Sequence, residues 1–378
     1  MRILHVITGL GKGGAETMLY RLLSHGRDVG MKHRVVSLTS GGYYRDMIIA
    51  LGVPVLECGL KNLQHAPRSL LRLIALVRRY RPHIIQAWMY HANLFSLLLP
   101  ILVPHTRLIW NIRHSLHHLA AEKFMTRLII RLNRIFSGRC AAIIFNSARS
   151  ALQHAEYGFQ SRGIRVIPNG FDTDTFSPDS RARDRVRHRL AIANSCALIG
   201  AVGRYHPLKD YPGLIKAAAL LRDLKPVSDW RLLIVGRNVD TSRELTAVID
   251  KFRLSSHVIR LGQQHNIQEH MNACDIFCLS SSSEAFPNVL GEAMACGVPC
   301  VSTDVGDAAD IIGDTGIVVP PRDPAALSGA LQTMLRRSSR ERTALGRAAR
   351  ERVQCAYGIE TIAERYRILY RELSSGNA

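Results

Sequence analysis

The sequence predicts an α/β protein built from two Rossmann-like domains, each a parallel sheet covered by helices. Three observations predict it. Short β-like apolar runs alternate with helical patterns along the whole 378 residues, the signature of parallel α/β architecture. That rhythm passes a turn-rich seam near the middle of the chain and starts again. Apolar residues make up 47% and charged residues 21%, which supplies cores for more than one domain at a length beyond a single ordinary one.

Taken in order, the expected strands of the first half are Ile3–Ile7, His33–Leu38, Ile84–Gln86, Arg107–Asn111, Ala142–Phe145 and Ile164–Ile167. Helical stretches such as Glu16–His25 and Ser69–Arg79 separate them. The seam is Val166-Ile167-Pro168-Asn169-Gly170-Phe171-Asp172, followed by an arginine-rich helix over Ser180–Leu190. The second half then offers Ala197–Val202, Arg231–Val235, Val258–Leu261, Ile276–Leu279, Pro299–Ser302 and Gly316–Val318. A last helix over Gly358–Ser374 is expected to return to the first domain. The expected division is therefore 1–168, 169–356 and a returning helix at 357–378. Two such domains facing each other would make a cleft lined by the carboxyl ends of their strands.

Charge is unevenly distributed. Fifty Lys and Arg against 30 Asp and Glu give +20 overall. Residues 1–170 hold 23 basic and 6 acidic side chains, residues 171–378 hold 27 and 24. An anionic partner for the first half follows: nucleic acid, a membrane surface or a phosphorylated acceptor. Over Glu122–Arg139 a helical reading puts Lys123, Arg127, Arg131 and Arg134 on one face, with Phe124, Leu128, Ile135 and Phe136 nearby. Such a helix suits an anionic membrane; a solvated face packed on its own domain is the competing reading. Nucleic acid fits less well, because no nucleic-acid module or aromatic–basic interleaving is visible.

The eight cysteines (58, 140, 196, 274, 278, 296, 300 and 355) match no zinc spacing and mostly lie in apolar runs. They read as buried, reduced thiols of a cytoplasmic protein. The opening apolar run ends in a glycine loop and reads as a buried strand rather than a signal peptide. Leu94–Val103 is too short to span a bilayer and contains Pro100. The expected location is the cytoplasm, with peripheral contact to the inner face of the cell membrane.

The most informative segment is Ser283-Glu284-Ala285-Phe286-Pro287-Asn288-Val289-Leu290-Gly291-Glu292-Ala293-Met294-Ala295-Cys296-Gly297. Pro287 suits the first helical position and Gly297 the position just past the end. The helix start would offer the amides of Asn288, Val289 and Leu290 to a phosphate. Glu284 before the helix and Glu292 inside it could reach hydroxyls on either side of that phosphate, the layout of a sugar nucleotide. Two isolated glutamates are more often surface charges; a proline-started helix after a strand argues otherwise. Arg204 and Lys209 leave the end of the second half's first strand together, where they could neutralise two phosphate charges without a metal. Gly9-Leu10-Gly11-Lys12-Gly13-Gly14-Ala15-Glu16 follows the first strand. Alone it is compatible with dinucleotide binding, but no acidic residue closes the next strand, Leu38-Thr39-Ser40. Asp172-Thr173-Asp174 imitates a metal-binding pair but sits in the seam and reads as turn chemistry.

The 284–292 segment resembles the Glu-x7-Glu motif of the family 4 glycosyltransferases, retaining enzymes of the GT-B fold that include many bacterial polysaccharide synthases. Gly203-Arg204-x4-Lys209, Gly13-Gly14-Ala15-Glu16, Phe145-Asn146-Ser147 and the seam are similar to segments of the same family. The resemblance covers nearly the whole chain and is strongest over 196–320. It implies a GT-B transferase that retains anomeric configuration and moves a hexose or N-acetylhexosamine from a nucleoside diphosphate sugar to a glycan or lipid-linked acceptor. It implies that Glu284 contacts the donor hexose, Glu292 the ribose, Asn288 to Leu290 the diphosphate, and that Gly13 and Gly14 lie at the reaction centre. A family histidine at the end of a first-domain strand corresponds to Arg113 or His114. His114 is favoured because an imidazole can contact both sugar and phosphate; a surface histidine beside His117 and His118 is the plainer reading. Catalytic weight thus falls on Glu284, His114, Arg204 and Lys209, with no metal and no cofactor beyond the donor. Uridine and guanosine donors both stay open. A sugar-nucleotide epimerase or hydrolase, and a non-catalytic nucleotide-sugar-binding protein, are the rival readings.

Overall fold

The computed structural model describes residues 1–25, 30–60, 66–117, 119, 122–160, 162–224 and 229–375. The chain divides into two compact units, Met1–Gly170 with Ile359–Ala378, and Phe171–Gly358.

Unit 1 runs β1 (Arg2–Ile7), α1 (Gly14–His25), β2 (Lys32–Ser37), α2 (Tyr43–Ala50), β3 (Val55–Glu57), α3 (Ala66–Tyr80), β4 (Ile84–Trp88), α4 (Met89–Ser96), α5 (Leu99–Leu102), β5 (Arg107–Ile112), α6 (Phe124–Phe136), β6 (Ala142–Phe145), α7 (Ala148–Glu156) and β7 (Ile164–Val166). The strands pair in parallel in the order β3-β2-β1-β4-β5-β6-β7. A parallel sheet buried on both faces needs near-continuous apolar strands, and β4 is buried at every residue. One face packs on α1, α2 and the last helix; the other packs on α3 to α7.

Unit 2 runs α8 (Ser180–Arg189), β8 (Ala197–Val202), α9 (Tyr211–Asp223), β9 (Trp230–Val235), α10 (Arg243–Lys251), β10 (Val258–Leu261), α11 (Ile267–Ala273), β11 (Ile276–Leu279), α12 (Asn288–Ala295), β12 (Cys300–Thr303), α13 (Ala308–Ile312), β13 (Gly316–Val319), α14 (Pro324–Arg336) and α15 (Ser339–Tyr357). Its sheet order is β10-β9-β8-β11-β12-β13. Local chemistry sets the helix ends. Asp179 and Ser242 accept amide hydrogens at the starts of α8 and α10, and Ser338 with Glu341 forms a reciprocal capping box on α15. Arg187 is buried in α8; its guanidinium meets Asp275 at 3.2 Å and donates to the carbonyls of Ala193, Cys196 and Ala273.

The chain then returns to unit 1 as α16 (Ile359–Ser374). Its buried stripe, Ile359, Ile362, Ala363, Tyr366, Leu369, Tyr370 and Leu373, recurs every three to four residues, as one helix face requires. Tyr366 accepts from Asn111 at 2.9 Å, and Tyr370 donates to Gln86.

The expected fold class is the one observed. Strand β3 was not anticipated: three half-buried residues at the sheet edge carry too short an apolar pattern to register. In the seam, the Asp172 carboxylate accepts the amides of Asp174 and Thr175 at 3.1 and 2.8 Å, an Asx turn. Six of the eight cysteines are buried, Cys140 is half-buried and Cys355 exposed.

Candidate functional site

Both sheets reverse their strand order beside their first strand, and such switch points leave a crevice at the carboxyl edge. In unit 2 the switch lies between β8 and β11. The loop after β8 delivers Arg204 and Lys209; the loop after β11 delivers Glu284. Backbone and serine bonds clamp the two loops together. The Ser282 amide donates to the Leu208 carbonyl at 2.8 Å, and Ser280 Oγ to the Lys209 carbonyl at 2.8 Å. Lys209 Nζ consequently meets Glu284 Oε1 at 2.7 Å, with both side chains 20% exposed. Ser281 Oγ donates to the same oxygen at 2.9 Å.

Glycines make the approach feasible. A Cβ on Gly203 would lie 2.9 Å from Lys209 Cε, and one on Gly306 2.3 Å from the Ala285 carbonyl oxygen and 2.8 Å from that of Glu284. Gly306 also has φ +53°, a conformation that costs other residues. Arg204 stands exposed at the loop tip. His206, between the two cations, is depressed by burial, then by Arg204 and Lys209, and partly restored by Glu284. These four charged or titratable groups therefore share one electrostatic neighbourhood.

Helix α12 begins behind Glu284, and the structure corrects two details there. Pro287 is the N-cap rather than the first helical residue, with Asn288 opening the helix. The Leu290 amide closes the first turn onto the Pro287 carbonyl at 3.1 Å, so it is not open to a phosphate. Asn288 and Val289 form the mouth of the helix, and Glu292 stands half-buried one turn above Asn288. Gly297, φ +74°, ends the helix in a Schellman motif, with Gly297 and Val298 amides donating to Met294 and Ala293. Gly291 admits the Phe171 ring, which a Cβ there would meet at 2.2 Å.

In unit 1 the switch lies between β1 and β4. Gly13 and Gly14 lead into α1, and the Gly13 carbonyl accepts from the Thr17 amide at 2.9 Å. Glu16 folds back over Gly13, whose Cβ would sit 2.4 Å from its carboxylate; burial raises the Glu16 pKa. Past the end of β5, Arg113 turns inward. It donates to the Tyr366 hydroxyl at 2.7 Å and lies over Trp88 at 5.1 Å, and burial lowers its pKa. His114 keeps 32% of its side chain exposed, with Nε2 3.3 Å from Glu122. Burial lowers its pKa and Glu122 restores part of the loss. His118 lies outside the described residues. Among the described residues, no group of three His, Cys, Asp or Glu side chains is placed to hold a metal ion.

The sequence reading missed His206, Ser281 and Gly306. His206 lay inside the Gly-Arg-x4-Lys segment and Ser281 in the serine run directly after β11, so strand-end position was the signal available. Nothing local marks Gly306 as supporting a loop twenty residues away.

Doubly wound parallel sheets in both units, with a charged pair at the switch point of the second, define the GT-B class of fold. Residues 12–175 match the model described as Glycosyltransferase Family 4, and residues 196–337 the one described as Glycosyl transferases group 1. The chain is 30% identical over 287 residues to the D-inositol 3-phosphate glycosyltransferase of Corynebacterium urealyticum, covering 70% of this chain and 67% of that protein. It is 31% identical over 209 residues to the enzyme of the same name from Geodermatophilus obscurus, covering 53% of this chain and 46%, about half, of that protein. Anabaena HepE, solved with UDP and glucose, has a TM-score of 0.84 at 21% identity, covering 98% of this chain and all of that one. The chain belongs to the family 4 glycosyltransferases, a transferase of GT-B fold.

Proposed function

We propose that the protein transfers a hexose or N-acetylhexosamine from a nucleoside diphosphate sugar to a glycan or lipid-linked acceptor in surface polysaccharide synthesis, with retention of anomeric configuration. The observation that carries this reading is the Lys209–Glu284 pair, 2.7 Å apart at the switch point of unit 2, beside the start of α12. A diphosphate entering there competes with Glu284 for Lys209 and gains Arg204 as a second cation. Glu284, released, accepts hydrogen bonds from the sugar; Glu292 takes the ribose; Asn288 and Val289 add amides to the diphosphate.

In the reaction the bond from the anomeric carbon to the diphosphate oxygen breaks, an acceptor hydroxyl oxygen bonds the same carbon, and the hydroxyl proton leaves on the departing diphosphate. Charge builds on the departing diphosphate, where Arg204 and Lys209 stabilise it without a metal. In unit 1, His114 is the acceptor-side residue, with Gly13 and Gly14 allowing close backbone approach. The HepE complexes favour a uridine donor, and the named relatives favour a phosphate on the acceptor. A lipid-linked acceptor would place the enzyme on the inner face of the cell membrane.

Thermal stabilisation by UDP, GDP, their sugar conjugates and NAD tests the reading, repeated with Glu292→Ala and Arg204→Ala. Selective stabilisation by one sugar nucleotide, lost in both variants, is expected. Stabilisation by NAD alone, or by none of the panel, would overturn it.

A further inference from the structure

Helix α6 carries apolar residues on two sides, one facing the core and one facing outward. At 100° per residue, Phe124, Leu128 and Ile135 fall within about 40° of one another, nearly opposite the inward-facing Ile130 and Asn133. Phe124 is 69% and Ile135 59% exposed, and Met125 flanks them at 60%. Arg127 and Arg131 are exposed along one border of this stripe, while Arg134 leans over Tyr157. An ordinary surface helix puts its polar face outward; α6 presents a second apolar stripe to the outside.

Other helices of the same layer also expose apolar residues. On α5, and at the residue before it, Ile101 and Leu98 are exposed, and α3 exposes Leu71. Helix α5 packs beside α3, and α4 joins both α5 and α6. All belong to the layer that covers one face of the unit 1 sheet. Residues 66–156, which include this layer, contain 13 basic and 2 acidic side chains. One of those two acids, Glu122, is turned onto His114.

The start of α6 adds a third observation. Lys123 is its N-cap, no side chain caps its amides, and no acid occupies its first turn. The helix dipole disfavours a cation there and favours an external anion. A second copy of this chain is a poor occupant, because a twofold contact would press two strongly basic faces together. A sheet of anionic headgroups over hydrocarbon satisfies both the stripe and its cationic border.

We propose that the α3–α7 layer, centred on the outer stripe of α6, is a docking surface for an anionic lipid bilayer. Phe124, Met125, Leu128 and Ile135 enter the headgroup boundary. Lys123, Arg127 and Arg131 meet lipid phosphates. Attachment is peripheral, since no helix among the described residues is long and apolar enough to cross a membrane. The assignment rests on this surface, not on the transferase reading.

The test is co-sedimentation of the full chain with phosphatidylcholine vesicles, with and without an equal share of phosphatidylglycerol. The wild type is expected to pellet only with the anionic vesicles. Arg127→Gln/Arg131→Gln should weaken that partition about thirtyfold, and Phe124→Ser/Met125→Ser about tenfold. Arg336→Gln/Arg340→Gln, an equal charge loss on exposed positions of unit 2, should leave it unchanged. Every variant should keep nucleotide-induced thermal stabilisation, which separates a failure of this surface from a failure of the donor reading. Equal binding to neutral vesicles, an equal loss in the unit 2 control, or a dimer that Phe124→Ser/Met125→Ser splits would each overturn the assignment.

Discussion

Lys209 and Glu284 are held together before any donor arrives, and that pairing can be weighed. At 2.7 Å between Nζ and Oε1, the charges attract by about 6 kcal/mol at an effective dielectric of 20. Each side chain is four-fifths withdrawn from water, and that desolvation offsets much of the attraction. A net coupling of about 1–2 kcal/mol is expected between two groups in direct contact. Urea unfolding of wild type, Lys209→Met, Glu284→Gln and the double variant measures it: the double should cost less than the two singles summed. The same pair makes an asymmetric forecast for ligands. Lys209→Met removes a charge-assisted bond and should weaken UDP binding about ten- to a hundredfold. Glu284→Gln frees Lys209 and removes a repelling charge, so bare UDP should bind tighter while the sugar nucleotide loses its added affinity. A coupling below about 0.3 kcal/mol, or Glu284→Gln weakening UDP as much as Lys209→Met, would refute the reasoning.

Gly306→Ala should destabilise by about 2–4 kcal/mol, because it combines a positive φ with a Cβ 2.3 Å from a backbone oxygen. Gly297→Ala, also positive in φ at +74° but with nothing nearer the added Cβ than Pro178 Cγ at 3.4 Å, should cost about 1 kcal/mol; paired urea unfolding compares them. His33 and His154 are held at about 4 by burial, so the unfolded chain takes up protons that the folded one refuses. Their contribution is full above pH 6.5 and is lost as pH falls towards 4, at about 1.4 kcal/mol per pH unit for each. Unfolding free energies against pH should show this slope, reduced by one proton in His154→Gln. Arg187→Leu should cost about 3–5 kcal/mol, since three carbonyls and Asp275 lose a buried donor; calorimetry on the variant checks it.

Much of the fold was legible because parallel strands announce themselves. Ala142–Phe145, Ala197–Val202 and Ile276–Leu279 are apolar to their ends and bounded by turns, Val258–Leu261 departs from this only at Arg260, and the limits of all four coincide with the observed strands. Strand β3 escaped because a short edge strand gains its identity from pairing with β2, which no local pattern encodes. The helix at 288–295 was legible from its proline and glycine. Its first hydrogen bond was not, since placing Pro287 at the cap or inside the helix depends on a single dihedral angle. At the candidate site, residue types pointed to charge on two loops, yet the Lys209–Glu284 contact joins residues 75 positions apart. Arg113 and His114 are adjacent in sequence and opposite in fate. One is swallowed by Tyr366 and Trp88, while the other stays partly exposed, and only the packing of α16 decides between them.

The route of the chain through unit 1 sets an order of assembly. Unit 2 is an insertion between Gly170 and Ile359, so a ribosome delivers the whole of it before the helix that completes unit 1. Until α16 arrives, the sheet face that will receive Tyr366 and Tyr370 is covered only in part, by α1 and α2, and Asn111 and Gln86 lack their tyrosine partners. Unit 2 can thus mature first although it is made second, the reverse of the usual amino-terminal precedence in multidomain chains. A nascent chain halted just short of α16 would carry a finished second unit beside a first unit still open along one side, a natural client for chaperones.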